Sequence, residues 1–296
     1  MELTITQITA DQLSVPDFLD TIYLQEQPLL IRGFGCRTAD LQDAIWDLAH
    51  QPTAQRRTGH IATTQAELAQ ILQIPPVLNH LTSNVFQRTD IVTKPESVKL
   101  WMQPGGHVSH LHYDGNSLHG LNWQLQGRKQ WLLVSPHTPP PMLPLTQVAR
   151  TVRNFEPDPK RYDFIGITTE PGDVLFLPRY WAHEVHALEP VNINVNWVWT
   201  PRAPNQHSPL ARRENSILAI RARMGRLNLY VPYSVNIRNY GDAGTELVER
   251  YTTGLSARQL AKTLFQELFN SVAYLPARRK ISRRMSQMPA NNFSNL

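Results

Sequence analysis

The sequence predicts a mainly β domain, a sandwich or barrel of short strands over residues 96–200, with α/β elements before it and helices after it. Three observations carry this. Strand-like runs crowd the interval: SVKLWMQ, LNWQLQ, KQWLLVS, DVLFLP and VNINVNWVW. They are separated by GG, QGRK, PHTPPP and PGD, which is turn-forming chemistry. The last run alternates, with Val191, Ile193, Val195 and Trp197 on one face and Asn192, Asn194 and Asn196 on the other. A row of asparagines suits the lining of a polar cavity or an exposed strand face.

Ahead of the barrel, residues 1–95 read as mixed α/β. VPDFLDTIYLQEQ has helical spacing, with Phe18, Leu19 and Ile22 toward one face. PLLIRGF reads as a short buried strand ended by Gly33, and AELAQILQI as a helix stopped by Pro75 and Pro76. Behind the barrel, RRENSILAIRARMGRL fits a helix with Ile217, Ile220 and Met224 in register. LSARQLAKTLFQELFNSVAYL fits another, capped by Ser256, with Leu260, Leu264 and Leu268 recurring every four residues. That stripe would pack on the barrel or on a second subunit, which hints at a homodimer. The expected division is a barrel-bearing domain over 1–205 and a helical region with a basic tail over 206–296.

Composition narrows the function classes. Of 296 residues, 41% are hydrophobic, enough for a sizeable core. No apolar run approaches about 18 residues, so no membrane span is expected. The start, MELTITQITADQL, lacks a secretion-signal pattern, and a soluble cytoplasmic protein is expected. The single cysteine, Cys36, excludes an internal disulfide and any multi-cysteine zinc or iron–sulfur site. The net charge of +5 is uneven: residues 201–296 hold 15 Lys and Arg against 5 Asp and Glu, and the first 200 hold 14 against 19. The cluster Arg278, Arg279, Lys280, Arg283 and Arg284 could hold nucleic acid. A solvated tail is the simpler reading, and no nucleic-acid partner is expected.

The chemistry concentrates in SHLHYDGNSLHGLNWQLQGRKQWLLVSP. Residues two apart on a strand share a face, so His112 and Asp114 would offer a nitrogen and an oxygen to one ion. A second histidine from a neighbouring strand would complete two histidines and a carboxylate on one face of a metal. Such a set leaves positions open and suits non-haem iron(II). A His-x-Asp pair alone is a weak signal, because it arises readily by chance in a chain with 11 His. Its context is stronger: a GG turn before it, QGRKQW after it, and PGDVLFLPRYWAHEVHAL far downstream with another histidine.

The order HYD, GRKQWLLVSP, PGDVLFLPRYWAHEV and INVNWVW resembles the JmjC, or cupin-like, hydroxylase family over roughly residues 98–200. The segment EQPLLIRGF is similar to that family's N-terminal strand. The resemblance implies a double-stranded β-helix, the jelly-roll of cupin and JmjC proteins. It implies Fe(II) held by His112, Asp114 and His183, with 2-oxoglutarate and O2 as co-substrates. Lys129 matches the lysine that binds the remote carboxylate of 2-oxoglutarate, and Ser109 a hydroxyl that helps it. Asn196 matches an asparagine near the metal-bound end of the co-substrate, and Asn122 a pocket-lining position. His110, which shares the strand face of His112, and His186, His107 and His119 compete as ligands or substrate contacts. Ala182 departs from a frequent tryptophan and would open space beside the metal.

The activity so implied is oxidative decarboxylation of 2-oxoglutarate coupled to hydroxylation of an amino-acid side chain in a protein or peptide. Removal of N-methyl groups from lysine, or hydroxylation of a small molecule, would use the same chemistry. A cupin-like binding protein without turnover is the rival from another class.

Overall fold

The computed structural model describes residues 1–35, 41, 45, 55–57, 60–93, 97–114, 118–138, 151–152, 155–202, 208 and 258. Cys36, the expected helices of region 206–296, the homodimer surface on them and the basic cluster lie outside the described residues.

The N-terminal segment forms β1 (Thr6–Thr9), then a helical stretch made of α1 (Val15–Asp17), a π-turn (Phe18–Ile22) and α2 (Tyr23–Gln25). Ser14 caps α1 by accepting from the Asp17 amide. The π-turn adds one residue per turn. Consequently Phe18 and Tyr23 are the deeply buried pair, and Ile22 packs only partly against the core. β2 (Leu29–Arg32) follows, buried as its apolar run requires.

β3 (Gln55–Arg57) and β4 (His60–Thr63) precede α3 (Gln65–Ile71), which starts at a capping box formed by Thr64 and Glu67. α3 ends before the prolines as expected, but Pro76 then opens a second helix, α4 (Pro76–Gln87). Proline at the first helical position loses no helix bond, so the same residue that forbids one helix begins the next.

The remaining strands are β5 (Ile91–Val92), β6 (Val98–Pro104), β7 (Val108–His112), β8 (His119–Gln126) and β9 (Lys129–Val134). They continue with β10 (Thr151–Val152), β11 (Phe164–Thr169), β12 (Val174–Leu177), β13 (Ala182–Ala187) and β14 (Val191–Pro201). The larger sheet runs β1-β2-β12-β8-β14-β6-β4-β3, with β5 beside β14, and the smaller β10-β7-β13-β9-β11. From β6 to β9 the chain alternates between sheets, and it does so again from β11 to β14 through β12 and β13. The result is the jelly-roll expected from the sequence.

Among the described residues three apolar clusters stabilise it, and two of them flank the larger sheet. Alternate residues of β8, β12 and β14, including Leu121, Trp123, Phe176, Val195, Trp197 and Trp199, face away from the barrel. They pack on Phe18, Tyr23, Leu78, Leu81 and Val85 from the helices. Between the sheets, Leu30, Leu175 and Leu177 meet Trp131, Leu133 and Val185. Each such side chain contributes roughly 1.5–3 kcal/mol by burial.

The β8–β9 turn depends on glycine. Gly127 has φ of 71°, and a Cβ there would lie 2.6 Å from Asn192 Oδ1 and closer still to Val191 O. Gly127→Ala combines left-handed strain with a backbone clash and should lower stability by about 3 kcal/mol. Urea denaturation would measure it.

Candidate functional site

The site is built where the minor sheet departs from simple alternation. β13 pairs antiparallel with β7, and His183 lies opposite His112. Val185, two residues on, lies opposite Ser109, three residues back, so the register shifts at a β-bulge. One extra residue on β7 therefore lets both Ser109 and His112 occupy inward positions. Strict alternation would place them on opposite faces, and would put His110 inward with His112. The bulge removes His110 from that position, and its carbonyl instead accepts from His112 Nδ1 at 2.7 Å.

The two imidazoles are fixed alike. His183 Nδ1 donates to Trp181 O at 3.1 Å. A carbonyl can only accept, so each ring carries a proton on Nδ1, which leaves Nε2 as the nitrogen placed to ligate. The ring centroids lie 4.3 Å apart. Asp114 follows the end of β7, and its Oδ1 lies 3.9 Å from His112 Nε2. One potential ligand atom from each of His112, Asp114 and His183 falls within 4.8 Å of the other two. Burial, with the neighbouring His112 adding to it, holds the His183 pKa down to about 4. The ring is thus neutral and able to ligate at pH 7. Two imidazoles and one carboxylate fit a divalent transition metal with open positions.

The approach to His183 is braced. Tyr180 has φ of 69°, a strained value for an aromatic residue, and its ring lies 6.4 Å from that of Tyr113. The Trp181 indole donates to Glu26 O at 3.1 Å, and Arg179 pairs with the Glu26 carboxylate at 2.6 Å. Ala182 does not open space beside the ligands. It points the other way, fully buried with Leu111, Tyr113, Val134 and Tyr180, because neighbours on a strand face opposite sides.

The barrel interior is polar on the β8–β14 side. Asn122 lies opposite Asn196, and Gln124 opposite Asn194. Asn122 is buried and donates to Leu175 O at 3.4 Å. Lys129 opens β9 and is 2% exposed. Its ammonium donates to Asn194 Oδ1, and the Asn194 amide donates to Asn196 Oδ1. Among the described residues no carboxylate pairs with Lys129, and burial pushes its pKa down to about 7. Ser109 Oγ accepts from Gln103 Nε2 at 3.4 Å and contacts His107 Nε2 at 3.4 Å. The His107 pKa is lowered by burial and by the Lys129 charge.

Asn194, which the sequence reading placed only in the asparagine row, touches Lys129 and links it to Asn196. The alternating asparagines were the available signal, and only the register decides which one meets β9. His186 faces away from the ligands and binds Glu184 Oε1 at 2.7 Å. His119 faces the outer core between Tyr23, Phe176 and Trp199, neutralised by burial. It borders a recess of about 350 Å³ whose walls include Tyr23, Glu26, Asp90, Arg179 and Trp181.

The family model described as a cupin-like domain matches residues 47–205, more than half of the chain. This chain belongs to the cupin-like, JmjC-type family. Members of this family are related to oxygenases and demethylases and generally bind Fe(II) and 2-oxoglutarate. Among curated proteins, the cupin-like chain is 33% identical over 112 residues to HSPB1-associated protein 1 of Rattus norvegicus, covering 33% of this chain and 23% of that one. It is 30% identical over 113 residues to Jumonji C domain-containing protein 5 of Drosophila melanogaster, covering 34% and 27%. It is 28% identical over 132 residues to arginine-specific demethylase JMJ20 of Arabidopsis thaliana, covering 40% and 28%. The matched stretch therefore spans about a quarter of the length of each relative. No helix among the described residues is long and apolar enough to cross a membrane.

Proposed function

We propose that this chain is an Fe(II)- and 2-oxoglutarate-dependent dioxygenase that hydroxylates an amino-acid side chain in a protein or peptide. The observation that carries this reading is the pairing of two features inside one barrel. Three ligand atoms converge within 4.8 Å. A buried ammonium with no carboxylate partner among the described residues lines the same interior.

His112, Asp114 and His183 would hold the iron, which when bound supplies the redox chemistry that couples decarboxylation of 2-oxoglutarate to C–H oxidation. Lys129 would neutralise the far carboxylate of the co-substrate through a charge-assisted hydrogen bond. Ser109, which the bulge turns inward, would donate its hydroxyl to the same carboxylate. Asn196 and Asn122 would line the wall toward the keto-acid end, and Asn194 would orient Lys129. The apolar set Trp131, Leu133, Leu175 and Val185 keeps water from that half of the interior.

The test is succinate formation from 2-oxoglutarate by the purified chain with Fe(II) and ascorbate, alone and with a peptide pool. Succinate above a metal-free control, with a peptide gaining the mass of one oxygen, is the expected result. No succinate under any condition would reject the enzyme. Turnover on free metabolites but on no peptide would reject the substrate class. A second reading follows from the relative named as an arginine-specific demethylase. Hydroxylation of an N-methyl group collapses to formaldehyde, so formaldehyde release separates demethylation from stable hydroxylation.

A further inference from the structure

We propose that Glu184 is a positioning residue for the metal site, holding the β7 bulge that turns His112 and Ser109 into the barrel; this rests on the metal-binding reading above. The bulge places one β13 residue, Glu184, between the paired positions His183–His112 and Val185–Ser109. On β7 the same interval contains two residues, His110 and Leu111. Leu111 is fully buried, and its amide donates to Glu184 Oε2 at 3.1 Å. The carboxylate of the residue facing the bulge thus satisfies an amide inside it. A buried amide left without an acceptor is costly, so the bulged pairing is favoured only while an acceptor meets that amide.

Glu184 is itself 7% exposed, on the outward face of the smaller sheet. Its second oxygen, Oε1, contacts His186 Nε2 at 2.7 Å, which fixes the carboxylate plane. The next residue toward the N-terminus is His183, so one strand supplies both a ligand and the clamp for the opposite ligand. Without the clamp, β7 can slip toward regular alternation, which carries His112 or Ser109 to the outer face. Glu184 touches neither metal nor co-substrate in this arrangement. Its action is through Leu111 and the direction of the His112 ring.

What the position requires is an acceptor at the reach of a glutamate side chain, not a charge. Glu184→Gln keeps an amide oxygen at that reach. Glu184→Leu keeps the volume and loses the acceptor. Glu184→Asp keeps the acceptor but is one methylene too short, and it remains polar if the leucine variant does not fold. The experiment is Mn(II) titration of the full chain, read by the free-ion signal in electron paramagnetic resonance, beside thermal melts. Wild type and Glu184→Gln should bind within about twofold of each other. Glu184→Leu and Glu184→Asp should bind roughly 10–100-fold more weakly, the range typical of residues that orient ligands.

Binding by Glu184→Asp and Glu184→Leu within twofold of wild type would overturn the proposal. So would a Glu184→Gln affinity as weak as that of Glu184→Asp, since a general loss of structure would not be rescued by the amide. Failure of the metal site itself is a separate outcome: wild type would then bind Mn(II) no better than Asp114→Ala.

Discussion

Lys129→Met is expected to raise the KM for 2-oxoglutarate roughly a hundredfold or more while making the free protein more stable. The two effects have one cause. Lys129 is buried, donates to Asn194 and has no carboxylate partner among the described residues. An uncompensated ammonium in that position costs several kcal/mol of desolvation, which methionine, of similar length, does not incur. The same uncompensated charge is what a dicarboxylate would find. Initial-rate kinetics across 2-oxoglutarate concentrations would measure the first effect, and urea denaturation without ligand the second. An unchanged KM would remove Lys129 from the co-substrate site.

The pH dependence has a definite sign. In the folded protein the Lys129 pKa is pushed down to about 7, below its ordinary 10.5. Between these values the unfolded chain holds a proton that the folded chain has released. Stability attributable to this group therefore rises as pH climbs from about 7 toward 10.5. Lys129→Met should lack that rise. Bound 2-oxoglutarate should also flatten it, because an adjacent carboxylate restores the charged form.

Much of this architecture can be read from the residues. The turn chemistry at Gly105, Gly106 and Gly127 and the apolar alternation of β14 locate the barrel strands, because side-chain period and turn preference are local properties. The His112–Asp114 pair is legible as a motif, although β7 ends at His112 and Asp114 lies just beyond the strand. Long-range register is not. The bulge at His110–Leu111 reverses the facing of Ser109, and nothing in SHLH announces an extra residue there. Its cause lies on another strand, at Glu184, some seventy positions away. The choice of Asn194 as the partner of Lys129 likewise depends on how β14 meets β9 across the barrel. The π-turn at Phe18–Ile22 shifted the buried face from Ile22 to Tyr23 because helical periodicity assumes 3.6 residues per turn. Pro76 read as a stop and is also a start, since proline constrains the residues before it more than those after it.

His183→Ala should reduce metal affinity by more than the roughly 10–100-fold typical of losing a residue that only hydrogen-bonds to a ligand, and turnover by at least about a thousandfold. Two ligands would remain, one of them the half-exposed Asp114, and neither is enclosed as His183 is. Folding should respond differently. Burial and the nearby His112 hold the His183 pKa at about 4, against an ordinary 6.5. Between these values the unfolded chain takes up a proton that the folded chain refuses, so wild-type stability falls as pH drops from about 6.5 to 4. His183→Ala removes that term, and its melting temperature should fall less steeply over the same range. Calorimetry of both metal-free proteins at several pH values, with Mn(II) titration at pH 7, would read both effects. Parallel acid profiles would mean that His183 is open to water and protons in the folded chain, and an unaltered Mn(II) affinity would remove it from the ligand set. The neutrality that makes this imidazole a ligand at pH 7 is created by the same burial that makes it an acid-sensitive point of the fold, so a ligand role without an acid-stability signature would contradict the geometry.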